Sequence, residues 1–200
     1  MKRLPPTLDD TVGPYFPPVF VANDRLDLYR PYAGLSPRAN GSPVEVRVRL
    51  LDVDERPATN TLLEVWQPNA RGILRVPGGD FEDDPHFQGH GRVWSASGEF
   101  TLVTTMPGSL DAGAATRAPY LTLTIFSDGI SRLVTQVFFE GDPRNARDPV
   151  LSALPPALAE RLIAGRVSDA GACVPAYAIA IRMRGERETP FFDDEPESDA

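Results

Sequence analysis

An alternation of apolar and charged residues that begins at Val44 constrains the fold of this chain more than any other feature. The apolar positions are Val44, Val46, Val48 and Leu50, and a charged residue separates each from the next. Because successive side chains of a β-strand point to opposite faces, this period of two predicts a strand with one buried face. A helix would place its apolar residues three or four positions apart instead.

Proline and glycine divide the chain into short segments of this kind. Among 200 residues there are 21 Pro and 16 Gly, and the proline share is about twice the ordinary ~5%. So many helix breakers favour strands joined by turns over a helical bundle. The patterns predict seven strands, at 44–50, 62–66, 91–95, 99–104, 120–126, 133–139 and 177–184.

The predicted fold class is all-β, an antiparallel β-sandwich with an extended N-terminal arm and one short helix. The arm, residues 1–43, lacks sustained periodicity, and we expect it to pack on a partner chain. The sandwich is predicted over 44–192, with an acidic tail at 193–200. The helix is predicted near 156–164, because Pro156 suits a first turn and Gly165 suits an end.

The net charge and the cysteine content indicate which binding partners and which cellular compartment are expected. The net charge of -8 argues against nucleic acid, whose affinity comes largely from Lys and Arg, and against an anionic membrane surface. A single cysteine, Cys173, excludes an internal disulfide framework and fits a reducing cytoplasm. The sequence shows no secretory signal and no apolar run near the ~20 residues of a membrane span.

Candidate reactive groups are few. His86 and His90 are four residues apart, but the nearby Pro85, Gly89 and Gly91 make a helix implausible, so a loop role is favoured over metal binding. Cys173 has no histidine close in sequence to activate it, which favours an inert thiol. The acidic run 82–84 is typical of solvated loop charge.

The segment Thr11–Phe16, with the sequence TVGPYF, has two open interpretations. It is a turn that presents flat apolar surface, or it is part of a ligand pocket. In the second case Gly13 lets the backbone approach the ligand closely, while Pro14 and Tyr15 form an aromatic wall.

The order and spacing of several motifs resemble the intradiol ring-cleaving dioxygenases. Within that family the chain looks most like the non-catalytic alpha chains of the protocatechuate 3,4-dioxygenases, over roughly residues 8 to 192. The motifs are TVGPYF at 11–16, LLEVWQPNARG at 62–72, GRVWSASGEFTLVTTMPG at 91–108, APYLTLTIFSDGI at 118–130, VTQVFFEGDP at 134–143, ALAERLIAGR at 157–166 and AYAIAIRMRGERETPFF at 176–192. The resemblance also implies an antiparallel β-sandwich.

In the catalytic beta chains of that family, two tyrosines and two histidines hold non-heme ferric iron. The resemblance places these four ligand positions at Leu74, Leu110, Leu121 and Leu123, with Thr122 and Thr124 as the alternatives for the histidine pair. An alkyl side chain cannot coordinate ferric iron, a hard cation. The resemblance therefore implies that this chain has no metal site and no catalytic residue, and that a beta subunit binds the iron.

The resemblance further implies that the beta subunit opens protocatechuate with O₂ to 3-carboxy-cis,cis-muconate, in an assembly of several heterodimers. The arm residues Thr11, Gly13, Pro14 and Tyr15 would then line the partner's pocket. Related alpha chains carry arginine where this chain has Asp128, and a carboxylate there would repel the substrate carboxylate. Arg132 either substitutes for that cation or lies on the surface.

Two other functions compete with this interpretation. One is a free-standing β-sandwich module that binds a small aromatic or sugar ligand without turnover. The other is a hydrolase that uses loop carboxylates, and it has the least support. Co-expression with a beta chain separates these functions from a subunit role.

Overall fold

The main element of the described chain is one large sheet. The structure, a computed structural model, describes residues 24–30, 38–75, 84–111, 113, 116–127, 131–168 and 174–192. The strands are β1 (Arg25–Asp27), β2 (Pro43–Leu51), β3 (Thr61–Trp66), β4 (His90–Ser95), β5 (Glu99–Thr105), β6 (Leu110–Asp111), β7 (Thr116–Arg117), β8 (Tyr120–Ser127), β9 (Ser131–Phe139), β10 (Ile163–Val167) and β11 (Ala176–Arg182). Nine of them form a sheet in the order β1-β5-β2-β11-β10-β9-β8-β3-β4, while β6 pairs with β7.

The sheet is mixed and nearly closed. In the described residues β1 runs parallel to β5, β10 to β9 and β11 to β2, while the other neighbours are antiparallel. Its two edge strands meet, because a Cβ added to Gly91 of β4 would lie 2.8 Å from the side chains of Leu26 and Leu28. The all-β prediction is confirmed. The antiparallel sandwich is not what the structure shows, since the strands curl into a barrel-like layer.

The parallel pairing of β2 with β11 explains the difference. These strands are in register over seven residues, from Glu45 opposite Ala176 to Leu51 opposite Arg182. Both strands alternate as predicted, and their apolar faces are buried in the main core, which contains Val46, Val48, Ile179 and Ile181. A period of two shows which face is buried but carries no information on strand direction. The direction follows from the connections between distant parts of the chain.

Short helical segments cover one end of the barrel. They are a 3-10 turn at Pro143–Arg147, helix α1 (Pro149–Ala153), helix α2 (Pro156–Ala159) and a 3-10 turn at Glu160–Leu162. The helix predicted at 156–164 therefore ends at Leu162, because Ile163 pairs with Phe138 and begins β10, which also contains Gly165. In the part of the chain that the structure describes, no helix is long and apolar enough to cross a membrane.

Candidate functional site

The loop that follows β3, residues 67–75, is fixed to the end of β5 by a buried glutamine. Gln67 is 2% exposed. Its Nε2 donates to the carbonyl oxygens of Pro68 at 3.2 Å and Thr105 at 3.0 Å. Its Oε1 accepts from Thr104 Oγ1 at 2.7 Å. Because every hydrogen-bonding group of the amide has a fixed partner, the loop leaves β3 in one direction.

Asn69 joins the loop 67–75 to a second loop, residues 106–109. Its Oδ1 accepts from the backbone N–H groups of Arg71 at 2.9 Å and Ile73 at 3.0 Å. Its carbonyl oxygen accepts from the N–H groups of Gly72 and Gly108, each at 2.9 Å. The two loops therefore pack backbone to backbone. This brings the segment that carries Leu74 beside the segment that leads into Leu110.

The side chains of β8 that face these loops are on the outer side of the sheet. Leu121 and Leu123 are fully buried in the main core. Thr122 lies opposite Trp66, the last residue of β3, so its side chain shares the outer face with Trp66. A ligand at position 121 or 123 would point into the core, away from the loops, because neighbouring strand residues face opposite sides. The assignment of the vacated histidine positions to Leu121 and Leu123 stays a prediction, and the alternative pair, Thr122 and Thr124, lies on the outer face.

Tyr120 is on the same outer face of β8 as Thr122 and packs against Phe138 of β9. The Arg117 guanidinium stands 4.5 Å from the centre of the Tyr120 ring. Arg117 also lies opposite Leu110 in the β6-β7 pair. Thr124, the other alternative, lies opposite Glu64 and is further along β3. Tyr120, Thr122 and Thr124 therefore share the outer face of β8.

Arg117 is held in place by a buried ion pair. Its Nε donates to Asp148 Oδ2 at 2.9 Å, and Asp148 is fully buried. The Arg117 Nη2 atom donates to Gln136 Oε1 at 2.6 Å. Burial raises the pKa of the Tyr120 phenol, and the nearby Arg117 charge opposes this shift only in part. Tyr120 is therefore held against Arg117 as a partly buried phenol.

The histidine nearest to this site packs against Trp66. The His90 and Trp66 ring centres are 4.1 Å apart, and Trp66 is 44% exposed. Burial lowers the pKa of His90, and its Nε2 is enclosed without a hydrogen-bond partner. Across the described ranges, no three His, Cys, Asp or Glu side chains come together in a way that could hold a metal ion. The two leucines, Leu74 and Leu110, offer no donor atom, so this cluster does not fit ferric iron.

The remaining predicted site residues lie outside the described residues, apart from Arg132. Those outside the described residues are Thr11, Gly13, Pro14, Tyr15, Asp128 and Cys173. Arg132 is on β9, exposed, and opposite Phe126. Phe126 is four residues from Thr122 on the same face, which is roughly 13 Å along the strand. Arg132 is therefore distant from the cluster, and its role toward a partner's substrate stays a prediction.

The comparisons with known proteins identify the family. A family model described as "Dioxygenase" matches residues 12–185, and named relatives of this chain are protocatechuate 3,4-dioxygenase chains. This chain belongs to the intradiol dioxygenase family. Intradiol dioxygenases are ring-cleaving oxidoreductases that generally use non-heme ferric iron.

Two intradiol relatives from Burkholderia cepacia differ in how much of this chain they cover. The protocatechuate 3,4-dioxygenase alpha chain is 32% identical over 202 residues, which is 96% of this chain and 100% of the relative. The beta chain is 37% identical over 166 residues, which is 76% of this chain and 70% of the relative. Among solved structures, the dioxygenase domain of a dioxygenase carbohydrate-binding fusion from Streptomyces sp. SirexAA-E has a TM-score of 0.59 at 26% identity, covering 90% of this chain and 99% of that one.

Proposed function

We propose that this chain is a non-catalytic alpha subunit of protocatechuate 3,4-dioxygenase. In this role it supports the ferric-iron-dependent cleavage of 3,4-dihydroxybenzoate by O₂ to 3-carboxy-cis,cis-muconate in a beta subunit. The main support is the cluster at the two loops. The resemblance places the tyrosine positions at Leu74 and Leu110 and the histidine positions at Leu121 and Leu123, and an alkyl side chain cannot coordinate ferric iron. The end-to-end match with an alpha chain is further support.

The iron and its substrate would belong to the beta subunit, where bound ferric iron supplies the redox chemistry. The contribution of this chain is to shape the partner's pocket. Gly13 and Pro14 are the best candidates for the pocket wall, with Thr11 and Tyr15 beside them. Arg132 is proposed as a surface residue or as a cation for the substrate carboxylate, whereas Asp128 would repel that carboxylate.

Two chains of one family also suggest how the subunits associate. The proposal expects a pseudo-two-fold pair in which each subunit uses the equivalent patch. An obligate pair of this kind buries more than about 2,000 Å². The pairs would then assemble further, and the acidic tail at 193–200 would lie outside the sandwich-derived domain at 44–192.

Co-expression with a beta chain tests the proposal. We expect a complex with about one ferric ion per pair, visible colour from tyrosinate ligands in the beta chain, and cleavage of protocatechuate. This chain expressed alone should be colourless and should self-associate or precipitate, because its interface is uncovered. Iron bound stoichiometrically by this chain alone would contradict the proposal. If this chain is monodisperse and does not bind the beta chain, the binding-module alternative is favoured.

Replacing Pro14 with glycine tests the arm. In the complex, Pro14→Gly should raise KM or lower kcat by on the order of 3- to 10-fold, because a loosened wall no longer orients the substrate. Pro5→Gly is the matched control, since it lies in the same arm but outside the TVGPYF motif. The measurement is steady-state oxygen uptake. If kcat and KM are unchanged in Pro14→Gly, the arm does not line the pocket.

A further inference from the structure

A groove of about 430 Å³ crosses the outer face of β5, β2 and β11. Thr101, Arg47 and Ala178 form one row across these three strands. Arg49 and Ala180 belong to the next row. The alanines form a low floor between taller side chains, and Ala178 is exposed. Alanine is depleted at strand positions, so its use on this face needs a reason beyond strand stability.

The charges along the groove are paired with one another. Arg49 Nε lies 3.5 Å from Glu99 Oε1, and Arg47 Nε donates to Glu45 Oε1 at 2.9 Å. Positive and negative charges therefore balance locally, and the groove offers no strong field to attract an ion. An uncharged, largely apolar occupant fits it better than an acidic peptide or a phosphate. The stems of the arginines would cover aromatic rings in such an occupant.

Asp24, the first residue that the structure describes, lies at the rim of this groove. Asp24 lines the groove, and its carbonyl oxygen accepts from the N–H of Thr101 at 2.8 Å, so the chain is fixed there. The residues directly before it include the uncharged segment Phe16–Val21, with the sequence FPPVFV. An extended proline-rich segment of six residues spans about 19 Å. The distance from β5 to β11 is only about 10 Å, two strand spacings, so the segment is long enough to cross the groove.

We propose that residues 16–21 lie in this groove of their own chain and anchor the arm. Residues 11–15 then leave from a fixed point toward the partner chain, which lowers the cost of ordering them in the partner's pocket. Only this use of residues 11–15 rests on the proposed function. Docking of the anchor segment requires no partner.

Hydrogen exchange of the full-length chain, alone and co-purified with a beta chain, tests the anchor. In the unaltered protein, the amides of Val19 to Ala22 should exchange about tenfold or more slowly than in the unfolded chain. Ala178→Arg, which fills the groove, should abolish that protection. Ala157→Arg is the matched control, because Ala157 is an exposed alanine in α2 outside the groove, and it should leave the protection unchanged.

A second variant, Phe20→Asp, leaves the sheet untouched and should also release the segment. Unprotected amides at 19–22 in the unaltered protein, or equal protection in Ala178→Arg, would overturn the proposal. Protection that arises only with the beta chain and survives Ala178→Arg would place the segment on the partner instead, which also overturns it. If no complex with a beta chain forms but Ala178→Arg still removes the protection, the anchor stands and the proposed function fails.

Discussion

Replacing Asp148 with alanine is expected to lower the free energy of unfolding by about 3–5 kcal/mol. The change leaves Arg117 with an uncompensated charge, because the Asp148 carboxylate is fully buried against its guanidinium. It also removes the acceptor for the Ala118 N–H at 2.9 Å. The N-terminal N–H groups of α1, at Val150 and Leu151, lose their cap as well. Urea denaturation followed by fluorescence measures the loss.

Asp142→Ala is the matched control for this prediction. Asp142 also precedes a proline and caps a helical turn, but its partner Arg144 is half exposed. That pair lowers the pKa of Asp142, and its loss should cost only about 1 kcal/mol. Equal losses for the two variants would show that burial of the Arg117 pair is unimportant. The double variant Arg117→Met with Asp148→Leu should recover part of the stability, because it removes both buried charges.

Gly72→Ala is expected to cost about 3–4 kcal/mol and to separate the two loops of the candidate site. Gly72 has a φ of +81°, and an added Cβ would lie 1.8 Å from the carbonyl oxygen of Ser109. A non-glycine residue at positive φ costs roughly 1–2 kcal/mol. Separating the loops also breaks the bonds from Gly72 and Gly108 to the Asn69 carbonyl, each worth about 1 kcal/mol.

Gly113→Ala isolates the conformational part of that cost. Gly113 has a similar φ of +79°, but nothing lies within 4 Å of its added Cβ. Its replacement should therefore cost only about 1–2 kcal/mol. Hydrogen exchange at the Gly72 and Gly108 amides should rise in Gly72→Ala and stay unchanged in Gly113→Ala. If both variants lose the same stability, the close packing of the two loops does not contribute.

The sequence predicts the long strands well because each one carries a clear alternation. The predicted strand at 99–104 is observed as Glu99–Thr105, and the one at 120–126 as Tyr120–Ser127. The strands β1, β6 and β7 have only two or three residues, which is too short to show a period. Helix α1 was missed, although Asp148 followed by Pro149 is a recognisable helix start.

The candidate site was predicted in part. The motif at 62–72 indicated the loop, and the pair Pro107-Gly108 indicated its neighbour. The face of β8 was not resolved, because a pair of ligands two residues apart fits either face of a strand. The apolar residues of β8 do indicate which face is buried. Leu121, Leu123 and Ile125 form a continuous core stripe, which places the alternative pair, Thr122 and Thr124, on the opposite face.

The placement of β2 between β5 and β11 governs when this protein can fold during synthesis. The strand that completes this side of the barrel, Ala176–Arg182, is synthesised long after β2. Until then one edge of β2 stays open and can pair with a neighbouring nascent chain. Such distant pairing also slows folding. Ribosomes stalled before Ala176 would therefore release aggregation-prone fragments.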